Sequence, residues 1–194
     1  MTARVGVLAV MAVALIIAPS LIDLPMNLIW NASPSVPTGL YWRHPASDLS
    51  VGDLVVVTAP AALADFLSKR GYLPAGMPLL KLVAALAGQD VCRVGLEITV
   101  DGVLHGTALA SDRSGRPLPV WHGCQRVRVG DIFFMNPDVR DSFDGRYFGP
   151  ISARSVLGRA IPIWTFDRPD DTAESRPIRS NDDAVSSLSS PEKE

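Results

Sequence analysis

Apolar residues run without a charge from Val5 to Ile22, and Asp23 ends the run. About 18 residues of helix are just enough to cross the hydrocarbon layer of a bilayer. Leu24, Met26, Leu28, Ile29 and Trp30 follow at once and are expected to let the span tilt or extend, with Trp30 and Trp42 near the membrane interface. Arg4 and the α-amine precede the span, and Arg43 is the first positive charge after it, which predicts a cytoplasmic N-terminus and an external remainder. Ala18-Pro19-Ser20 makes a poor leader-cleavage site because proline separates the small residues, so an uncleaved anchor is the preferred reading over a removed signal. A buried core helix is the third option, and the lack of any polar face disfavours it.

Beyond the anchor the period shortens to that of strands. Asn31 to Tyr41 is rich in Pro, Ser and Gly and cannot be a regular helix. Val51-Gly52-Asp53 turns into the β-branched run Leu54 to Val57, and Val129-Gly130-Asp131 turns in the same way into Ile132 to Met135. Pro60 to Arg70 carries Leu63, Phe66 and Leu67 at helical spacing, with Gly71 as its C-terminal stop. Leu79 to Leu86 is apolar around Lys81. Val91 to Val100 reads as one strand, Asp101-Gly102 as a two-residue hairpin turn, and Val103-Leu104 as the return. Ala110 to Pro119 and Asn136 to Pro150 read as loops, and Val156 to Trp164 as the last strand. From Asp167 onward almost nothing is apolar, so the tail cannot offset its ordering entropy by burial. The expected organisation is an anchor over 1–30, a mainly-β, barrel-like domain over 31–166 with one short helix, and a disordered tail over 167–194.

Composition narrows the function classes. The 194 residues carry a formal net charge of −2, so no basic surplus exists to neutralise a phosphate backbone, and nucleic acid is not an expected partner. Cys92 and Cys124 are free to form a disulfide if the domain lies outside the cytoplasm, with two buried thiols as the alternative. His44, His105 and His122 do not cluster with them, and neither a metal nor a cofactor is expected.

Two residues stand out chemically. Ser35 lies just past the span between Pro34 and Pro37, which fix the local backbone and suit a nucleophile that must be held in place. Lys81 is the only charge in Leu79-Leu80-Lys81-Leu82-Val83. Burial there would lower its pKa towards the range where a lysine acts as a base. There is no Gly-x-Ser-x-Gly elbow, His-Glu-x-x-His or Walker loop, and no histidine has an obvious triad partner, so a lysine is the available base for a serine.

Ser33-Pro34-Ser35-Val36-Pro37-Thr38 resembles the nucleophile box of signal peptidase I. Leu80-Lys81-Leu82-Val83 through Gly88-Gln89-Asp90 resembles that family's lysine box. Asp141-Ser142-Phe143-Asp144-Gly145-Arg146-Tyr147-Phe148-Gly149 and Leu157-Gly158-Arg159-Ala160 resemble the two boxes that follow, in the same order. One residue is missing between Ser35 and Pro37, Val36 replaces Met, Leu82 replaces Arg, Ala87 replaces Pro, and Gly145 replaces a serine at the cost of a hydrogen bond. The first two departures fit the conjugal-transfer branch, the TraF-type peptidases. So do Asn31-x-Ser33-x-Ser35-x-Pro37-x-Gly39-Leu40-Tyr41-Trp42 and Asp112-Arg113-x-Gly115-Arg116-Pro117-Leu118-Pro119.

The resemblance implies a signal-peptidase-like folded β-barrel or sheet domain with one N-terminal transmembrane helix in the bacterial inner membrane, facing the periplasm. It implies Ser35 as nucleophile and Lys81 as general base, with the Ser35 N–H and the Ser33 hydroxyl at the oxyanion. Ser142, Asp144 and Arg146 would support the lysine region. The implied substrate is a membrane-tethered precursor, the pilin of a conjugation system, with components of that apparatus as partners. A housekeeping leader peptidase and a non-catalytic scaffold of the apparatus are the alternatives.

Overall fold

The computed structural model describes Met11 and residues 27–166. The remainder of the expected span and the tail 167–194 lie outside the described residues. Among the described residues no helix is long and apolar enough to cross a membrane.

In chain order the elements are β1 (Leu28–Asn31), β2 (Thr38–His44), β3 (Leu54–Val57), α1 (Ala61–Lys69) and β4 (Leu79–Ala85). Next come β5 (Asp90–Val94), β6 (Glu97–Val100), β7 (Val103–Thr107), β8 (Gly123–Arg126) and β9 (Asp131–Phe134). The chain then forms α2 (Gly145–Phe148), β10 (Ile151–Ser152), a short 3₁₀ turn and β11 (Val156–Phe166). The fold is mainly β, as expected, but it is not a closed barrel. Seven strands form an open antiparallel sheet in the order β1-β2-β11-β3-β4-β9-β10, and β7-β6-β5-β8 form a second one. The terminal strands β1 and β10 do not pair with each other, and β10 is only two residues long.

Three further expectations need correction. Leu28, Ile29 and Trp30 pair with Trp42, Tyr41 and Leu40, so the boundary drawn at residue 30 falls inside a strand. Val91 to Val100 is two strands, because the chain reverses between Val94 and Glu97, which face each other across β5 and β6. The loop over 136–150 contains α2, a second helix that four residues are too few to announce by periodicity. The Asp101-Gly102 hairpin is as read: both residues have positive φ, at 49° and 81°, which matches the primed turn that a two-residue connection favours.

β3 and β4 sit inside the large sheet, which is why Leu54 to Val57 and Leu79 to Ala85 read as nearly continuous apolar runs. Val55, Val57 and Val83 pack with Ile132 and Phe134 on one side. Val56 and Leu80 pack with Val36, Tyr41 and Ala160 on the other. Val36 is therefore an anchor. Its burial pulls the Ser33–Pro37 turn down against β3 and β4.

Candidate active site

The turn that carries Ser35 is shaped from inside by Asn31. This residue is buried at the end of β1. Its amide Nδ2 donates to the carbonyls of Ser33 (2.9 Å), Val36 (3.2 Å) and Pro37 (3.0 Å), and its Oδ1 accepts from Ser33 N (3.0 Å). Pro34 and Pro37 lack an N–H, and a side-chain amide supplies donors that the local backbone does not. Tyr41 Oη also donates to the Pro37 carbonyl, at 2.6 Å. Ser35 itself is half-exposed. Its hydroxyl is bonded to Ser33 Oγ at 3.2 Å, and its N–H donates to the same oxygen at 3.5 Å. Ser33 thus stands beside the candidate nucleophile.

Lys81 stands opposite Val55 in the β3–β4 register and is 3% exposed. Its Nζ donates to Ser142 Oγ at 2.8 Å. Burial strips water from the ammonium and lowers the pKa from 10.5 to about 8; the Asp144 carboxylate pulls it back up and the Arg146 guanidinium pushes it down. Near pH 8 a lysine amine can accept a proton, which the same group in water cannot do appreciably.

The loop behind Lys81 is organised around a buried ion pair. Asp144 is 0% and Arg146 1% exposed. Asp144 Oδ1 accepts from Arg146 Nε (2.9 Å) and N (3.2 Å), while Oδ2 accepts from Arg146 Nη2 (2.8 Å) and Asn136 N (3.0 Å). The guanidinium also gathers the carbonyls of Asn136, Val139, Arg140 and Ser142, so one side chain holds the loop over 136–142 closed. Asp144 caps α2 in the same stroke. Phe143 stacks on Tyr147 at 5.0 Å and on Phe66 of α1 at 5.4 Å, which docks the helix against this loop. Gly145 has a steric role rather than being a lost hydrogen bond. A Cβ there would lie 2.5 Å from both Phe133 Cε2 and the Phe134 carbonyl.

Cys92 and Cys124 form a disulfide between β5 and β8, outside this cluster. Arg93, next to Cys92, is buried and donates to the carbonyls of Arg146 and Pro119, so the small sheet is tied to the Asp144 loop. Among the described residues no group of His, Cys, Asp and Glu could hold a metal ion.

The structure therefore brings Lys81 to Ser142, Ser142 to the Asp144–Arg146 pair, and Ser33 to Ser35. Among the described residues no hydrogen bond joins Ser35 Oγ to Lys81 Nζ; such bonds often tighten only with substrate bound. The link between the two halves is Asn136, which sequence reasoning placed in an ordinary loop. Asn31 appeared only as the first residue of the conjugal-transfer motif, with no role attached, because its work lies in side-chain bonds to backbone carbonyls. The signal available for Asn136 was its place directly after the apolar run of β9 and before Pro137.

Comparison with known proteins places the chain in a family. A family model described as signal peptidase, peptidase S26, matches residues 2–165. A probable conjugal transfer protein TraF of Sinorhizobium fredii is 40% identical over 147 residues, 70% of this chain and 76% of that protein. The conjugal transfer protein TraF of Agrobacterium fabrum is 37% identical over 150 residues, 71% and 82% of the two chains. The plasmid transfer protein TraF of Escherichia coli is 31% identical over 147 residues, 70% and 82%. A crystal structure of signal peptidase I from Enterococcus faecalis aligns over 58% of this chain and 97% of its own, at 19% identity and a TM-score of 0.34, too low to bear on the fold. The chain belongs to the signal peptidase S26 family and, within it, groups with the TraF proteins of conjugal transfer.

Proposed function

We propose that this protein is a membrane-anchored serine endopeptidase that cuts a membrane-tethered precursor, the pilin of a conjugative system, with Ser35 as nucleophile and Lys81 as general base. The observation that carries the reading is Lys81: a buried lysine, its pKa lowered to about 8, hydrogen-bonded to Ser142. A neutral amine that donates one N–H to Ser142 keeps its lone pair for the Ser35 proton. As Oγ attacks the scissile carbonyl, the proton passes to Nζ and then to the leaving amine, and water resolves the acyl-enzyme by the same route in reverse. The Ser35 N–H and the adjacent Ser33 hydroxyl, which here donate to Ser33 Oγ and Ser35 Oγ, would turn to the oxyanion when substrate is bound.

The membrane setting has support in the surface. Leu28, Trp30, Trp42, Ile161, Ile163, Trp164 and Phe166 are exposed on β1, β2 and β11, close to where the apolar N-terminal segment joins the domain. Large apolar and aromatic side chains of this kind suit a membrane–water interface. The test is co-expression of the pilin precursor of the same transfer system with wild type, Ser35→Ala and Lys81→Ala, following pilin mass. Trimming by wild type and loss of at least about 10³-fold in both variants is the expected result. Trimming that persists in both variants removes the dyad.

A further inference from the structure

We infer that Asn136 is the positioning residue that sets the distance between the Ser35 turn and the Lys81 strand. This rests on the Ser35–Lys81 reading above. Asn136 is 2% exposed and directly follows the hydrogen bond from Met135 N to the Leu82 carbonyl, where the β4–β9 ladder runs out. Its side chain continues that ladder. Oδ1 accepts from Leu82 N at 2.9 Å, and Nδ2 donates to the Leu80 carbonyl at 3.4 Å, so both residues flanking Lys81 are held. The same Nδ2 donates to the Ser35 carbonyl at 2.8 Å. One planar amide therefore spans the nucleophile turn and the base strand, and it fixes the Ser35–Val36 peptide plane relative to β4.

Asn136 is itself immobilised. Its N–H is bonded to Asp144 and its carbonyl to Arg146, so the ion pair acts on Ser35 through this residue. Asn31 divides the work differently, since its bonds stay within the 31–37 turn and shape it without tying it to β4. Only an amide meets all three demands on Asn136: two donor hydrogens on one atom and an acceptor on the other. An aspartate has the size but places an acceptor against two carbonyls. It would also set a carboxylate against the β4 backbone on either side of Lys81, whose present charged neighbours are Asp144 and Arg146, with Ser142 bonded from the loop and Val55 opposite on β3.

The experiment uses the full-length enzyme in detergent micelles with the pilin precursor of its transfer system as probe, and reads kcat, KM, the pH profile and the melting temperature. Asn136→Ala is expected to lower kcat about 10- to 100-fold with KM changed less than about 2-fold, because the misplacement of reacting groups is felt in the chemical step. Asn136→Asp, which preserves side-chain volume, is expected to lower kcat as well and to move the acid limb of the pH profile upward by about one unit. A purely structural role would lower the melting temperature and leave kcat of the folded variants at the wild-type value. Wild-type kcat and an unmoved acid limb in folded Asn136 variants, with Ser35→Ala and Lys81→Ala inactive, overturn the inference and leave the dyad standing. Cleavage by Ser35→Ala or Lys81→Ala overturns the dyad first and the inference with it.

Discussion

The two sheets solve the problem of holding their strands together in opposite ways. The seven-stranded sheet contains the candidate site and is held around it by buried polar groups, namely Asn31, Lys81, Asn136, Ser142, Asp144 and Arg146. The four-stranded sheet has one fully exposed strand, β8, and is stapled by a covalent bond from Cys92 to Cys124. A buried polar network is sensitive to every member, because each lost partner leaves a donor or acceptor unsatisfied away from water. A disulfide stabilises without specifying the position of any side chain to a fraction of an ångström. The difference teaches that here stability can be supplied by generic means in one region, while the other spends its polar residues on placement.

The largest effect on stability should come from breaking the network. Asp144→Ala leaves Arg146 charged and unpaired in the interior, and a loss of about 3–5 kcal/mol in denaturant unfolding is expected, with cleavage lost as well. Next comes the staple. The Cys92→Ser/Cys124→Ser double variant opens a loop of sequence separation 32, worth about 3–4 kcal/mol in the chain-entropy model. Below its melting point it should retain kcat within about 3-fold of wild type, because no cysteine touches the site; a kcat loss as large as that of Asp144→Ala would erase the contrast between the sheets.

The smallest effect concerns Lys81 and is a matter of pH. Only the neutral amine is a base, so kcat/KM should rise with pH to a midpoint near 8, with about a tenth of the enzyme active at pH 7. A flat profile between pH 6 and 9 would contradict this. Stability follows the same group. The folded pKa lies below the unfolded value, so the unfolded chain binds more protons between about 8 and 10.5, and stability rises with pH across that window. Below pH 8 the burial of a charged lysine costs up to about 3 kcal/mol, so Lys81→Met should abolish cleavage yet raise the melting temperature at neutral pH.

The central strands were legible because burial on both faces leaves a plain apolar record, as at Leu54 to Val57 and Leu79 to Ala85. The Asp-Gly hairpin was legible from turn chemistry alone. β2 was not, since Thr38-Gly39-Leu40-Tyr41-Trp42-Arg43-His44 is stabilised by its pairing with β1 and β11 and carries little alternation of its own. Ser35 and Lys81 stood out by their local chemistry, and Ser33, Ser142, Asp144 and Arg146 by their resemblance to ordered motifs. Asn136 was hidden, and the role of Asn31 was unreadable, because their work lies in side-chain bonds to backbone groups, and such groups look alike whatever residue bears them. For Asn136 the partner is also remote, with Ser35 101 positions away. α2 escaped for a related reason, since its four residues depend on the Asp144 cap and on packing under Phe143.

β11 is the last strand among the described residues, yet it lies in the middle of the large sheet, between β2 and β3. Until Val156 to Phe166 have been made and delivered, the β1–β2 ribbon that bears Ser35 and the β3–β4 ribbon that bears Lys81 have no strand between them to join them. Pairings such as Arg159 with His44 close long stretches of chain and form late in folding. A chain cut short before Val156 would therefore leave the two ribbons without a shared strand. In this topology the candidate site is built from two ribbons that share a common middle strand, so its completion waits on the insertion of β11.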